Sequence, residues 1–370
     1  MRFLMAAGGT GGHVIPALVV ARELMARNPD CRVLFVGTAK GVENRLVPQA
    51  GFPLELVDVG ALQRQSWAAR SRTFFRLPRA LWQASRILRK FQPQVVLGVG
   101  GYAAGPVMLA AALMGIPLAV LEPNAFPGMA NRWIAPFVAR AFLAFPEAAS
   151  FFGHGKPLIA GIPVRREFFE IRPHPQTQPR ESPFTVLVFG GSQGARTLNR
   201  AVMEALPKLA QCGKQIRLLH QTGQNEYNAV KEAVAKYPVQ AEVFPYIEGM
   251  PEAFARADLV VCRAGANTVA ELAAAGKAAI LVPFPAAANQ HQLRNAEAVA
   301  RTGAARLILD KELNGETFFS AVEELCEGPE KLNRMEARIR NFGRPEATAL
   351  IADELERLGG REQVTGTREQ

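Results

Sequence analysis

The chain has 370 residues, of which 49% are apolar and 21% charged, and its formal net charge is +10 at pH 7. This length predicts two or three domains with sizeable cores, and the composition excludes a wholly disordered protein. The positive charge predicts an acidic partner, which a nucleic acid, a membrane or a phosphorylated substrate would supply. A disulfide framework and a zinc site are excluded by the wide spacing of Cys31, Cys212, Cys262 and Cys326.

Short apolar runs alternate with helical patterns through the first half of the chain. Within these runs polar and apolar residues do not alternate, which is typical of parallel strands buried on both faces. Helices are predicted at Val14–Ala26 and Gly128–Ala135. The predicted strands are Phe3–Ala7, Val33–Val36, Leu54–Val57, Val95–Val99, Leu118–Leu121 and Ala141–Ala144.

The segment from Phe91 to Leu121 contains no charged residue and is long enough to cross a bilayer. Glycines and prolines interrupt it between Gly98 and Pro117. They divide it into a strand, a glycine turn, a short helix and a second strand. We therefore expect part of an α/β domain here rather than a transmembrane helix.

Four prolines between Arg166 and Pro183 exclude a long helix or strand and predict a linker at 166–183. The α/β pattern then restarts, which gives an N-terminal domain at 1–165 and a C-terminal domain at 184–345. A closing helix is expected at 346–358, packed on the N-terminal domain, followed by a frayed tail at 359–370. The strands predicted in the second half are Val186–Phe189, Ile216–His220, Ala241–Phe244, Leu259–Cys262, Ala278–Val282 and Ala305–Ile308.

Both halves place a glycine cluster between the first strand and the first helix, at Gly8–His13 and at Gly190–Gly194. Glycines let the backbone approach an anion closely, and a helix start offers N–H groups to it. A third cluster, Gly98–Tyr102, also follows a strand. A tight turn would explain one such glycine, whereas three loops favour substrates that contain diphosphate. The predicted fold class is α/β, with two Rossmann-like domains whose parallel sheets face a cleft.

Few side chains near these loops could act as an acid or a base. His13 joins such a loop to a side chain that titrates near neutrality, and proton transfer and phosphate binding remain equally open for it. Glu271, in the first turn of a predicted helix, could bind ribose hydroxyls or only complement the helix dipole. Glu122, which follows another strand, is equally ambiguous. The sequence has no D-x-D and no H-x-x-x-H pair, so we predict no metal site.

The excess positive charge lies in the first half, where residues 1–165 contain 18 Lys and Arg against 7 Asp and Glu. Between Asp58 and Glu122 there is no acidic residue, and apolar and basic residues recur there on separate helical faces. Such a helix fits an anionic membrane surface better than a nucleic acid or a plain solvated face. Pro78 is expected to divide it in two or to start its second half. The predicted membrane patch consists of Trp67, Arg72, Phe74, Phe75, Arg76, Arg79, Trp82 and Arg86.

In their order along the chain, these motifs resemble the MurG family, the UDP-N-acetylglucosamine (UDP-GlcNAc) transferases that convert undecaprenyl-diphospho-muramoyl-pentapeptide (lipid I) into lipid II. No single loop is decisive, but the ordered set extends from residue 8 to about 300 and is highly specific. The matching residues are Gly9–Pro16, Gly98–Pro106, Asn124, Gly161 with Pro163–Arg165, Gly190–Ala195, Cys262–Glu271, His291–Gln292 and Asn295–Ala296.

The resemblance implies a GT-B fold and an inverting transfer of N-acetylglucosamine to the muramoyl 4-hydroxyl of lipid I. It also implies that the C-terminal domain binds UDP-GlcNAc, with Glu271 on the ribose, and that the N-terminal domain takes the lipid acceptor. His13 is then a candidate base or diphosphate contact, Glu122 is a weaker catalytic candidate, and no metal or other cofactor is implied. The implied donor contacts are Thr10, Gly11, Gly12, Asn124, Arg165, Ser192, Ile247, Ala266, Asn267, Thr268, Val269, Ala270, Glu271 and Gln292.

The same resemblance implies a peripheral enzyme on the cytoplasmic face of the bacterial plasma membrane, with cell-wall assembly proteins as candidate partners and no nucleic acid. Pro123 and Ile162 depart from the family's Glu-Gln-Asn and Gly-Asn-Pro-Val-Arg sequences, and each departure affects a local contact. Two alternatives stay open. One is a GT-B transferase with another lipid acceptor, such as a diacylglycerol, and the other is a catalytically silent scaffold for wall assembly at the membrane.

Overall fold

A computed structural model describes residues 1–59, 67–153, 156–172, 183–212, 215–287 and 290–365, with only the backbone at 67–76 and 361–365. The chain divides into two compact units. Unit 1 comprises Met1–Val164 and Arg344–Gln370, and unit 2 comprises Arg165–Gly343.

Unit 1 contains a seven-stranded parallel sheet in the order β3-β2-β1-β4-β5-β6-β7. The sequence predicts six of these strands, and all six are confirmed. It misses β7, which has three residues, begins with a proline and is only partly buried. The strands are β1 (Arg2–Ala7), β2 (Arg32–Gly37), β3 (Leu54–Leu56), β4 (Val95–Gly100), β5 (Leu118–Glu122), β6 (Arg140–Leu143) and β7 (Pro157–Ile159).

Helices cover both faces of this sheet, because β1 sends alternate apolar side chains to opposite sides. Phe3 and Met5 enter the core beneath α1, whereas Leu4 and Ala6 enter the core beneath α3 and α4. The helices that precede the second unit are α1 (Gly11–Arg27), α2 (Glu43–Gln49), α3 (Trp67–Phe91), α4 (Ala104–Leu113) and α5 (Met129–Ile134).

The prediction made for Pro78 is wrong. The helix α3 runs without a break from Trp67 to Phe91, with Pro78 inside it, whereas the sequence predicts that this proline divides or starts a helix. A proline costs a helix one backbone hydrogen bond and a steric clash, and the rest of this long amphipathic helix compensates for that local loss.

Unit 2 contains a six-stranded parallel sheet in the order β10-β9-β8-β11-β12-β13, and the sequence predicts all six strands. The strands are β8 (Phe184–Phe189), β9 (Ile216–Gln221), β10 (Gln240–Phe244), β11 (Leu259–Cys262), β12 (Ala279–Leu281) and β13 (Ala305–Leu307). The helices are α6 (Arg166–Phe169), α7 (Arg196–Gln211), α8 (Tyr227–Val234), α9 (Met250–Arg256), α10 (Ala266–Ala275), α11 (His291–Ala300), α12 (Gly315–Glu327) and α13 (Pro329–Arg340).

The last helix, α14 (Ala347–Thr365), belongs to unit 1. Its apolar residues Ile351 and Leu355 join the core beneath α1, and Arg140 forms an ion pair with Glu354 at 2.9 Å. The helix continues beyond Leu358, where the sequence predicts that it ends. The predicted linker at 166–183 begins with the short helix α6, and its residues 173–182 lie outside the described ranges.

A membrane crossing would need a longer and more apolar helix than any within the described ranges. The charge-free segment from Phe91 to Leu121 forms the end of α3, then β4, α4 and the beginning of β5, as the sequence predicts.

The glycine loops follow the carboxyl ends of inner strands in each sheet. In unit 1 the order reverses beside β1, and in unit 2 it reverses beside β8. Ligands of open parallel sheets bind outside the carboxyl ends of the strands at such a reversal. A functional site is therefore expected at the loops after β1 and β8.

Candidate active site

The loop after β1 leads directly into α1. Gly9 has a φ of +86°, a conformation that favours glycine, and the first turn of α1 contains no acidic side chain. The predicted contacts Thr10, Gly11 and Gly12 lie here, with Thr10 at the helix N-cap. The N–H groups in the first turn of a helix have no intrahelical acceptor, so the turn suits a negatively charged or oxygen-rich ligand.

The loop after β4 packs directly on the loop after β1. Gly100 and Gly101 have φ values of +128° and +90°. A Cβ atom on Gly101 would overlap the carbonyl of Gly8, and one on Gly100 would lie 2.9 Å from the ring of His13. Side chains at either position would push the two loops apart, so these glycines are required for close packing rather than only for a turn.

Two oxygen atoms of its own loop lie close to one nitrogen of the His13 ring. Its Nδ1 lies 3.2 Å from the carbonyl oxygen of Gly8 and 3.4 Å from the hydroxyl oxygen of Thr10. A carbonyl oxygen can only accept, so the neutral ring has its proton on Nδ1 and its lone pair on Nε2. The Nε2 atom is therefore the basic nitrogen of this histidine.

Glu43, the first residue of α2, lies beneath the same loop, although no local sequence pattern singles it out. Its side chain is 0% exposed. One carboxylate oxygen accepts from the N–H of Gly9 at 2.8 Å, and the other accepts from the N–H and hydroxyl of Thr38 at 2.8 and 3.0 Å. This carboxylate fixes the backbone of the glycine loop.

Glu122, at the end of β5, is 1% exposed and is held by donors from the loop that follows. Its carboxylate accepts from Asn124 at 3.0 and 3.1 Å, from the N–H of Gly128 at 2.9 Å and from Asn131 at 2.9 Å. Burial raises its pKa, and these hydrogen bonds oppose that rise. The carboxylate orders the loop that contains Asn124, which is the arrangement expected of a positioning group.

The loop after β8 in unit 2 is built in the same way as the loop after β1. Gly191 and Gly194 have φ values of +89° and +74°, and α7 begins at Arg196 with no acidic side chain in its first turn. The predicted contact Ser192 is exposed at the tip. A Cβ atom on Gly194 would overlap the carbonyl of Thr222, so the loops after β8 and β9 touch backbone to backbone.

Gln221, the last residue of β9, joins two of the predicted donor-binding loops and is another residue that the sequence analysis misses. It is 2% exposed. Its amide nitrogen donates to the carbonyl of Gly191 at 2.9 Å, and its amide oxygen accepts from the N–H of Ile247 at 2.8 Å. Both ends of one neutral side chain therefore hold the glycine loop and the loop after β10 in a fixed relation.

His220, the preceding residue, is also neutral, because burial lowers its pKa to about 3. Its Nε2 lies 2.9 Å from the side-chain oxygen of Asn199, whose amide nitrogen donates to the carbonyl of Thr222 at 2.9 Å. An asparagine oxygen can only accept, so the proton of His220 is on Nε2.

Glu271 faces Arg165 in unit 2, with an oxygen–nitrogen distance of 3.8 Å. Burial raises the pKa of Glu271 to about 7, and the positive charge of Arg165 opposes that rise. The helix α10 begins at Ala266, so Glu271 lies in its second turn. The sequence predicts that Glu271 lies in the first turn, and that prediction is wrong. The dipole role is thereby weakened, since that effect falls off within the first turn.

Comparisons with known proteins place this site in a family. Residues 3–143 match the N-terminal domain of glycosyltransferase family 28, and residues 185–351 match its C-terminal domain. A protein of Solibacter usitatus, named UDP-N-acetylglucosamine–N-acetylmuramyl-(pentapeptide) pyrophosphoryl-undecaprenol N-acetylglucosamine transferase, is 48% identical over 356 residues, which are 96% of each chain. The crystal structure of Acinetobacter baumannii MurG is 32% identical, with a TM-score of 0.77 over 96% of this chain and 99% of that one.

The chain belongs to the MurG family. It is therefore a glycosyltransferase, and both of its domains match family 28. The calicheamicin glycosyltransferase CalG4 has the same fold at 18% identity, with a TM-score of 0.67 over 98% of this chain and 99% of that one. The fold class predicted from the sequence, two parallel-sheet domains of the GT-B type, is confirmed.

The remaining MurG-family positions of unit 2 lie along the carboxyl edge of its sheet. Ala266 to Ala270 form the beginning of α10. Arg263, at the end of β11, is 8% exposed, forms an ion pair with Asp310, and donates to the carbonyl of Val282 at 3.2 Å. Gln292 accepts from the N–H of Phe284 at 3.0 Å. These contacts order the loops after β11 and β12.

The membrane patch predicted on α3 is described in part. The side chains of Trp67, Arg72, Phe74, Phe75 and Arg76 lie outside the described residues, so that part stays a prediction. Arg79, Trp82 and Arg86 are exposed on α3, and the guanidinium of Arg86 lies 5.9 Å from the centre of the Trp82 ring.

Among the described residues, no three His, Cys, Asp or Glu side chains converge closely enough to hold a metal ion.

Proposed function

We propose that the protein transfers N-acetylglucosamine from UDP-GlcNAc to the muramoyl 4-hydroxyl of lipid I and so makes lipid II for peptidoglycan. The observation on which this depends most is the 48% identity to a transferase of that name across both domains. The ordered glycine loops and buried polar supports of both units favour a working enzyme over a silent scaffold.

Unit 2 is proposed to bind the donor. The N–H groups at Gly190–Gly194 and at the start of α7 face the diphosphate and stabilise the charge that develops on UDP as it leaves. Glu271 binds the ribose hydroxyls, and the other donor contacts are Arg165, Ser192, Ile247, Ala266 to Ala270 and Gln292.

Unit 1 is proposed to contribute the general base and to take the acceptor. The contact of Nδ1 of His13 with the Gly8 carbonyl supports this role, because it leaves the basic lone pair on Nε2. Thr10, Gly11, Gly12 and Asn124 of unit 1 are also proposed to contact the donor.

The reaction is then a single displacement with inversion. Nε2 of His13 accepts the proton of the muramoyl 4-hydroxyl as its oxygen forms a bond to the anomeric carbon. The bond from that carbon to the diphosphate oxygen breaks on the opposite face, and UDP leaves with the electron pair. The product is a β-1,4 linked disaccharide on the lipid.

We also propose that unit 1 binds the cytoplasmic face of the plasma membrane. Large apolar side chains are exposed on neighbouring helices, with Trp82 63% exposed on α3, Leu113 76% on α4 and Trp133 73% on α5. Exposed basic residues such as Arg79 and Arg86 lie on the same α3 helix. Amphipathic aromatic groups with basic neighbours favour the surface of anionic lipids.

A product assay tests the proposal. Purified protein is incubated with labelled UDP-GlcNAc and a lipid I analogue, and the lipid fraction is analysed by mass spectrometry and NMR. We expect a β-linked disaccharide product, activity in EDTA, and no transfer to a diacylglycerol. Transfer only to the diacylglycerol would support the alternative acceptor, whereas no transfer to any lipid would support the scaffold. An α-linked product would contradict inversion.

A further inference from the structure

Glu43 and His13 contact opposite sides of the same peptide group. The N–H of Gly9 donates to the carboxylate of Glu43 at 2.8 Å. The carbonyl of Gly8, which belongs to the same Gly8–Gly9 peptide, lies 3.2 Å from Nδ1 of His13. Carboxylate, peptide and imidazole therefore form a continuous hydrogen-bonded series.

The surroundings of Glu43 are built for a carboxylate. The side chain has no exposed surface, and the three donors to it are the N–H of Gly9 and the N–H and hydroxyl of Thr38. A Cβ atom on Gly8 would lie 2.6 Å from a carboxylate oxygen, and Cβ atoms on Gly37 and Gly41 would also overlap this side chain. Three glycines thus make the space that this one side chain occupies.

A carboxylate in this position acts on the imidazole through the peptide. Hydrogen bonds in series polarise one another, so acceptance by Glu43 makes the Gly8 carbonyl a stronger acceptor for Nδ1–H. A stronger acceptor fixes the tautomer and stabilises the imidazolium that forms when Nε2 takes a proton. An aspartate does this directly in a catalytic triad, whereas here a peptide group lies between the carboxylate and the ring.

We propose that Glu43 is a positioning residue for His13 and strengthens it as the base of the transfer reaction. The inference rests on the proposed role of His13 as that base. On the β4 side the ring meets Gly100, which has no ionisable group, and within its own loop it meets the Thr10 hydroxyl. Glu43 is a charged group that hydrogen bonds link to this ring through the Gly8–Gly9 peptide.

The first test replaces the charge and keeps the shape. For Glu43→Gln we expect kcat with UDP-GlcNAc and a lipid I analogue to fall about tenfold, because the interposed peptide weakens an effect that is larger in a direct triad. The KM values should change less than twofold, and the acidic limb of the kcat–pH profile should move to lower pH. Glu43→Asp, which keeps the charge, should recover part of the rate. Glu23→Gln is the matched control, because Glu23 is a partly exposed carboxylate near the end of α1 that pairs with Arg27, and this variant should behave like the unaltered enzyme.

A double-mutant cycle separates this inference from the proposed function. In a His13→Ala background, Glu43→Gln should cause no further loss of kcat, because the group through which it acts is gone. An equal loss in both backgrounds, or an unchanged pH profile with a lowered melting temperature, would show that Glu43 only supports the fold. Full activity of His13→Ala would instead overturn the base itself. A ¹⁵N NMR spectrum that places the proton of His13 on Nε2 in the unaltered protein would overturn the hydrogen-bonded series.

Discussion

The loops after β1 and β8 are built alike but supported differently. Each follows a strand inside its sheet, contains glycines with positive φ, and leads into a helix whose first turn has no acidic side chain. Beneath the loop of unit 1 lies the carboxylate of Glu43, which accepts from Gly9. The loop of unit 2 is held instead by the neutral amide of Gln221, which donates to Gly191.

This difference separates the two kinds of chemistry that one transferase needs. Two like charges 4 Å apart repel by about 4 kcal/mol at an effective dielectric constant of 20, so a buried carboxylate is a poor neighbour for a diphosphate. The same carboxylate stabilises a histidine that becomes positive on taking a proton. A neutral support suits the loop proposed to bind the diphosphate, and a charged support suits the loop proposed to contain the base.

The largest effect is expected when a charge is placed beneath the loop of unit 2. Gln221→Glu keeps the acceptor for Ile247 but loses the donor to Gly191 and adds a negative charge. We expect the KM for UDP-GlcNAc to rise about 100-fold, since these losses together cost about 2–3 kcal/mol. Steady-state kinetics at saturating acceptor measures this, with circular dichroism as the check on folding.

Gln221→Leu serves as the control for that prediction, because it removes both hydrogen bonds without adding a charge. It should raise the donor KM about tenfold and leave the acceptor KM unchanged. Equal donor KM values for the Glu and Leu variants would mean that charge beneath the loop does not matter, and the contrast between the two units would fail.

The sequence predicts the loops better than it predicts their supports. Glycine clusters after apolar runs are local signals, and twelve predicted strands are present in the structure. Glu43 is 34 residues from Gly9, and Gln221 is 30 residues from Gly191 and 26 from Ile247. Nothing in the local pattern distinguishes these two from an exposed Glu or Gln. Only the topology, which brings β2 beside β1 and β9 beside β8, places them beneath the loops.

Glu271 provides a second test of this comparison, because it is a mostly buried carboxylate of unit 2 that we propose to bind the ribose rather than to support the glycine loop. Its pKa of about 7 lies above the ordinary value of 4.5, so the side chain takes up a proton as the pH falls through 7. A protonated carboxyl accepts ribose hydroxyls less well, and donor affinity should therefore rise between pH 6 and pH 8. Glu271→Gln should bind UDP-GlcNAc about tenfold more weakly at pH 8 and show no such rise, as measured by calorimetry.

The free energy of unfolding of the donor-free protein gives an independent measure of the ionisation of Glu271. Because burial raises the pKa of Glu271, the folded state loses stability as the pH rises from 4.5 through 7. Glu271→Gln removes that loss, so it should raise the free energy of unfolding at pH 8 by up to about 3 kcal/mol and leave it unchanged below pH 4. Equal stability of the two proteins at pH 8 would contradict a buried, ionised Glu271.

The smallest expected effect concerns the surfaces of the two units. Trp133, 73% exposed on α5 of unit 1, should insert into a lipid interface, whereas Tyr237, 37% exposed in unit 2, should not. Partial burial of an indole contributes about 1 kcal/mol, so Trp133→Ser should lower binding to phosphatidylglycerol-containing vesicles about fivefold in a sedimentation assay. Tyr237→Ser should leave binding unchanged. If both substitutions weakened vesicle binding equally, the lipid contact would not be confined to unit 1, and the two units would not differ in membrane binding.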